Sequence, residues 1–178
     1  MGLLTISVIL YTIFSSSGAF RVPGVLQNET KSLEPSKGFS AGFLENLPTA
    51  NCPNGWHRHN SRCFHFEGHA KPWVDAQNHC IHLKGTLASI HSFEEYQFVQ
   101  KVTGSHFRRA WIGAFDSVKE GTWLWIDGTP FDFAMWNPGE PNNHGKEDCV
   151  EINHGAEKGW NDLKCTALLP SICAKRLV

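Results

Sequence analysis

Glu140-Pro141-Asn142-Asn143-His144-Gly145-Lys146-Glu147-Asp148 runs directly into Cys149, and Trp160-Asn161-Asp162 echoes it ahead of Cys165. The nine residues carry three carboxylates and two side-chain amides, with Pro141 the sole apolar side chain. Neither a strand face nor a helix face has that composition, so the stretch reads as a loop dense in oxygen ligands. Calcium takes roughly six to eight oxygens from carboxylates, amide and backbone carbonyls and water. Glu140, Asn142 and Glu147 can supply three, Asn161 and Asp162 two more, and the Asp162 carbonyl a further contact. A bridge between Cys149 and Cys165 would draw the two halves together.

Outward from the loop, the chain alternates between strand and helix patterns. Pro53 to Gly55 give a turn, Trp56 opens an extended stretch, and Cys63-Phe64-His65-Phe66 alternates as a short strand. Trp73, Ala76, Cys80 and Leu83 fall at helical spacing, with Pro72 at the first turn and Gly85 as the expected stop. Thr86 to Ile90 reads as a strand. A second helix starts at the Ser92 cap, has Glu95 three residues on, places Phe93, Tyr96 and Val99 on one face, and ends at Gly104. Strands are expected at Trp111-Ile112-Gly113, over Trp123 to Ile126 before the Asp127-Gly128 turn, over Cys149 to Asn153, and over Ser171 to Lys175. Two helices followed by short strands give an α+β domain.

The chain of 178 residues carries a formal charge of -1. That balance suggests one domain and neither nucleic acid nor an acidic surface as partner. Seven Trp and twelve Phe imply an aromatic core. Residues 3–14 form an apolar run too short to span a bilayer comfortably, and Ser17-Gly18-Ala19 offers small residues to a signal peptidase. Residues 1–19 are therefore expected to be a cleaved secretory signal, which places the protein outside the cell with no membrane insertion. Residues 20–51 read as a flexible linker with a glycosylation sequon at Asn28-Glu29-Thr30. It contains no heptad run and no Gly-X-Y repeat. Six cysteines fit a secreted chain, and their spacing leaves fifteen pairings open. No Cys-x-x-Cys occurs, against a zinc ribbon or a thioredoxin-like redox site.

Together, Glu140-Pro141-Asn142, Glu147-Asp148-Cys149 and Trp160-Asn161-Asp162 before Cys165 resemble the carbohydrate-recognition domain of the C-type lectins. The helix, strand and Trp-Ile-Gly series follows the same order, so the resemblance covers Cys52 to Cys173. The domain is placed at residues 52–176, and the Cys52 hairpin matches the longer form of the family. The resemblance implies a C-type lectin-like fold: two helices, short antiparallel strands, a long calcium-binding loop and three disulfides, Cys52–Cys63, Cys80–Cys173 and Cys149–Cys165. It implies a principal Ca2+ held by Glu140, Asn142, Glu147, Asn161 and Asp162, with a cis bond at Glu140–Pro141. A second calcium is implied at Asp116, Glu120, Asn143 and Asp148. The Glu-Pro-Asn form goes with mannose-type sugars and the Gln-Pro-Asp form with galactose. Vicinal hydroxyls of mannose, fucose or N-acetylglucosamine would donate to Glu140 and Glu147 and accept from Asn142 and Asn161, with His144 at the loop tip packing on the ring. The family also suggests glycoproteins or microbial surfaces as partners, in innate defence.

Two hydroxyls on one ion make a small, wet contact, so affinity for a free sugar is expected near millimolar, about -4 kcal/mol. Useful binding then needs several domains acting together, and a homo-oligomer would have to form through domain surfaces or residues 20–51. Because the ligands bind as carboxylates, acid is expected to displace the metal and with it the sugar. An enzyme is disfavoured: there is no His-Glu-x-x-His and no Gly-x-Ser-x-Gly. His57, His59, His65 and His69 match no standard zinc spacing. The rival within the same fold is a domain that binds a protein or ice and keeps calcium as a structural ion.

Overall fold

The computed structural model describes residues 51–177. The expected signal segment, residues 20–50 of the linker and the Asn28 sequon lie outside these residues.

A hairpin forms from β1 (His57–His59) and β2 (Arg62–Lys71), longer than the sequence pattern suggests, with Cys63 and Phe64 of β2 buried. Helix α1 (Trp73–His82) buries Trp73, Ala76 and Cys80. Gly85 was the expected helix stop, yet Leu83 is the cap and Lys84 takes the positive φ of 63°. The chain needs glycine at 85 for a different reason: a Cβ there would meet the Ala174 carbonyl oxygen at 2.5 Å. Strand β3 is only Thr86–Leu87, although Ala88 and Ile90 beyond it are fully buried.

Helix α2 (Phe93–Val102) starts at Ser92, whose Oγ accepts from the Glu95 amide at 3.1 Å. Glu95 Oε2 in turn accepts from the His91 amide at 2.9 Å, so the cap is reciprocal but reaches one residue further back than expected. Tyr96 and Val99 face the core, whereas Phe93 is exposed despite its position in the apolar pattern. In that first turn it is Glu95, not Phe93, that faces the sheet: it accepts from Arg62 of β2 at 2.7 Å.

Strands β4 (Ala110–Phe115), β5 (Leu124–Trp125), β6 (Cys149–His154), β7 (Gly159–Leu163) and β8 (Leu169–Arg176) complete the domain. The sheet order is β1-β2-β8-β4-β6-β7, with β3 on β8 and β5 on β4. Pairing is antiparallel except between β4 and β8. The hairpin and the C-terminal strand thus sit at one end of the sheet and β6–β7 at the other. The three disulfides join Cys52 to Cys63, Cys80 to Cys173 and Cys149 to Cys165, as the resemblance implies.

Trp160-Asn161-Asp162 lies on β7, a strand the sequence pattern does not signal. The alternation is masked because Trp160, Asn161 and Asp162 are all buried. Trp160 is 0 % exposed. Around it stand Tyr96, Trp125, Phe131, Phe133 and Trp136, with ring centroids 5.7–6.4 Å away. Aromatic pairs at such distances add to the energy of area burial.

Candidate functional site

The long segment between β5 and β6 has no regular structure, so its shape is set by anchors. Trp160 donates its amide to the Met135 carbonyl at 2.7 Å, and the Asn137 amide donates to the Trp160 carbonyl at 2.9 Å. The Asn137 side chain fixes the other edge, accepting from the Gly159 amide and donating to the His154 carbonyl. Pro141 then follows Glu140 through a cis peptide bond.

At the tip, Asp162 works as a latch. Its Oδ1 accepts from the Asn142 amide at 3.0 Å and its Oδ2 from the Asn143 amide at 2.7 Å. Asn142 Oδ1 and Glu147 Oε2 both accept from the His144 amide, at 2.8 and 3.1 Å. Asn143 Oδ1 accepts from the Glu147 amide at 2.8 Å. These bonds gather the Asn142 and Glu147 side chains on one turn and tie that turn to Asp162 on β7. Asn161 lies beside them on β7, opposite Glu151 in the register. His144 is exposed at the tip.

Electrostatics distinguish this cluster from a solvated loop. Burial, then the adjacent Asp162 carboxylate, raise the Glu140 carboxyl above its ordinary range. Glu140 Oε2 is buried with no hydrogen-bond partner. A buried acceptor without a donor is costly, and two carboxyls in contact repel when both are ionised. A cation offsets both costs. Acidic residues alone would not support that reading, but an orphaned buried oxygen beside carboxylate and amide oxygens does fit calcium.

A second convergence lies next to the first. Asp116, Glu120 and Asp148 bring one oxygen each to within 4.8 Å of one another. Burial, with Asp148 and Asp162 adding to it, raises Asp116, although the Gly121 amide donates to its Oδ2 at 2.8 Å. Asp116 Oδ1 is buried and unpartnered. Asn143 reaches this group through nitrogen: its Nδ2 donates to Glu120 Oε2 at 2.7 Å. Three of the four expected residues therefore present oxygen to a common point, while Asn143 links the two clusters and commits its own oxygen to the Glu147 amide.

Sequence reasoning missed Glu151 and Arg109. Glu151 accepts from Arg109 through both Nε and Nη2, and from Asn161 Nδ2 at 3.0 Å. The available signal was an acidic residue between Val150 and Ile152 in an apolar strand. The histidines considered for zinc serve elsewhere: His65 Nδ1 lies 2.7 Å from the Gly55 carbonyl and His69 Nδ1 2.6 Å from Glu67. A cleft of about 730 Å3 lined by Arg62, Ser89, His91, Asp127 and Thr129 among others shares no residue with the loop. Its polar walls largely bond one another: Arg62 to Ser89, Ser89 to Asp127, and Asp127 to Thr129.

With this geometry in hand, comparison with known proteins identifies the class. The model of the Lectin C-type domain family matches residues 69–175, and the chain belongs to that family. It is 40% identical over 176 residues to ladderlectin of Oncorhynchus mykiss, covering 96% of this chain and 92% of that protein. It is 47% identical over 145 residues to lactose-binding lectin l-2 of Anguilla japonica, covering 78% and 87%. The solved structure of herring type II antifreeze protein superposes with a TM-score of 0.70 at 42% identity, covering 71% of this chain and all of that one. None of these three carries an enzyme's name. Among the described residues, no helix is long and apolar enough to cross a membrane.

Proposed function

We propose that this domain is a secreted, calcium-dependent lectin for mannose-type sugars, with recognition of microbial surface glycans as its use. Glu140, Asn142, Glu147, Asn161 and Asp162 are the residues that would hold the ion. The observation that carries the reading is the buried, unpartnered Glu140 oxygen set against Asp162, on the turn that also gathers Asn142 and Glu147. When bound, calcium offers coordination positions to two adjacent sugar hydroxyls. Glu140 and Glu147 accept hydrogen bonds from those hydroxyls, because a carboxylate can only accept. Asn142 and Asn161 donate, because each amide nitrogen carries two hydrogens and Asn161 has committed one to Glu151. The Asp116, Glu120 and Asp148 cluster would hold a second ion that stiffens the loop through Asn143.

Selectivity rests on which side of the ion accepts and which donates. Exchanging the order, with Glu140→Gln and Asn142→Asp together, is expected to shift the mannose-to-galactose preference at least about tenfold toward galactose, or roughly 1.4 kcal/mol. Competition by free mannose and free galactose on an immobilised glycan measures the shift. An unchanged preference would place selectivity outside the loop.

Two relatives favour other readings. The eel relative is named for lactose binding, which favours a galactose-type ligand on this same loop. The herring match is named an antifreeze protein, which favours ice as target; in that alternative, as in one with a protein target, calcium would be a structural ion. Sugar competition separates the first from the mannose reading. Thermal hysteresis, measured in a domain that takes up calcium but retains no sugar, tests the ice reading.

A further inference from the structure

Glu151 is a charged residue that the site described so far does not use. It lies on β6 and is 0 % exposed, a costly place for a carboxylate unless every lone pair is occupied. Its two oxygens are occupied: Arg109 donates through Nε and Nη2 in a two-pronged contact, Asn161 Nδ2 donates at 3.0 Å, and His154 Nδ1 stands 3.2 Å away. The Arg109 guanidinium, whose side chain is 44% exposed, joins this buried group to the surface. Its own pKa is raised by the hydrogen bond and charge of Glu151, against the effect of burial.

The contact to Asn161 matters because an amide has two ends of similar shape and opposite function. Turned one way it offers oxygen to a cation; turned the other way it offers N–H groups that a cation repels. A carboxylate accepts and never donates, so Glu151 admits only the nitrogen end. That leaves the Asn161 oxygen for the loop. The register supports the reading, since Glu151 and Asn161 are paired directly across β6 and β7. Arg109 forms the third member: a two-pronged guanidinium fixes both the charge and the plane of the carboxylate.

From this we infer that Glu151, held by Arg109, is a positioning residue that sets the orientation of the Asn161 amide and thereby the affinity for calcium. The inference rests on Asn161 being a calcium ligand in the proposed function. Partners that orient metal ligands from behind typically contribute about 10–100-fold in metal affinity, and Glu151 falls in that range. A purely structural ion pair between Arg109, just before β4, and Glu151 on β6 would contribute to thermal stability and leave calcium affinity below the melting temperature unchanged.

The test compares Glu151→Gln with the parent in the full secreted chain. Glutamine keeps the size and permits either amide to turn. Two quantities are read: hydrogen exchange of the Asn161 side-chain NH2 in the calcium-free protein, by nitrogen-15 NMR, and calcium affinity by titration calorimetry. The expected result is exchange at least about tenfold faster and calcium binding about 10–100-fold weaker. Unchanged exchange and affinity within twofold of the parent overturn the inference. If Glu151→Gln does not fold, Arg109→Lys decides, because it keeps the charge at a half-exposed position and loses the two-pronged contact. Faster exchange with calcium at least threefold weaker supports the role, and no change in either overturns it. A parent chain that takes up no calcium would instead refute the proposed function, and the exchange measurement would still report whether Glu151 holds Asn161.

Discussion

Trp160→Ala is expected to destabilise the domain by about 3–5 kcal/mol, the usual range for truncating a buried large aromatic to alanine. Trp160 is the hub on which Tyr96, Trp125, Phe131, Phe133 and Trp136 converge. Alanine would leave a cavity that the disulfide-linked strands cannot easily close. Since a domain's whole stability is of order 5–15 kcal/mol, the melting temperature should fall by at least about 10 °C. Function should suffer even where the variant stays folded. The Trp160 backbone anchors Met135 and Asn137, and the next two residues are the proposed ligands Asn161 and Asp162. Thermal unfolding with a parallel calcium titration checks both effects. A loss under about 1 kcal/mol would mean that the aromatic cluster repacks without it.

The second large effect is expected at Asp162, which is 1 % exposed. Its two oxygens latch the Asn142 and Asn143 amides, and it is also proposed to contribute to the ion. Asp162→Ala removes two charge-assisted hydrogen bonds, each of the order of 1.5–3 kcal/mol, and one carboxylate ligand. Calcium affinity should fall by about 100-fold or more. Asp148→Ala, in the neighbouring cluster, should cost much less at the principal site. Titration calorimetry on both variants tests the order. Equal losses would mean that the two clusters act as one site, and an Asp162→Ala affinity within threefold of the parent would remove Asp162 from the site.

The sequence carried more of the site than of the elements that support it. Glu140, Asn142 and Glu147 were legible as loop residues because oxygen-rich side chains without apolar neighbours announce a loop, and the Cys149–Cys165 pair implied by the resemblance draws its two halves together. The three disulfides followed from resemblance and not from spacing, which left fifteen pairings open. Local pattern failed at three kinds of place. β7 was hidden because a strand buried on both faces shows no alternation. Gly85 was read as a helix stop when its role is close approach to Ala174, a contact ninety residues away that no local signal contains. Phe93 fitted the helical face but is exposed, because the first turn of the helix meets β2 through Glu95 and Arg62 instead. Glu151 and Arg109 were missed for the converse reason: a buried ion pair is defined by tertiary register, and in the sequence each is one charge among many.

The neighbouring acidic cluster shows the same division. Asp116, Glu120 and Asp148 meet as expected, yet the amide of Asn143 points nitrogen toward Glu120. Its oxygen is held by the Glu147 amide, a bond decided by the turn geometry at the tip. Occupancy of that cluster by a cation therefore requires Asn143 to reorient or Glu120 to carry the contact alone with the aspartates.

The central claim is that loop carboxylates and amides bind sugar through calcium. Retention of the protein on immobilised mannose and on immobilised galactose, in calcium and then in a chelator, tests it most directly. Retention on mannose, released by the chelator and by free mannose before free galactose, is the expected result. Retention that survives the chelator, or no retention on either sugar by a protein shown to take up calcium, would contradict it.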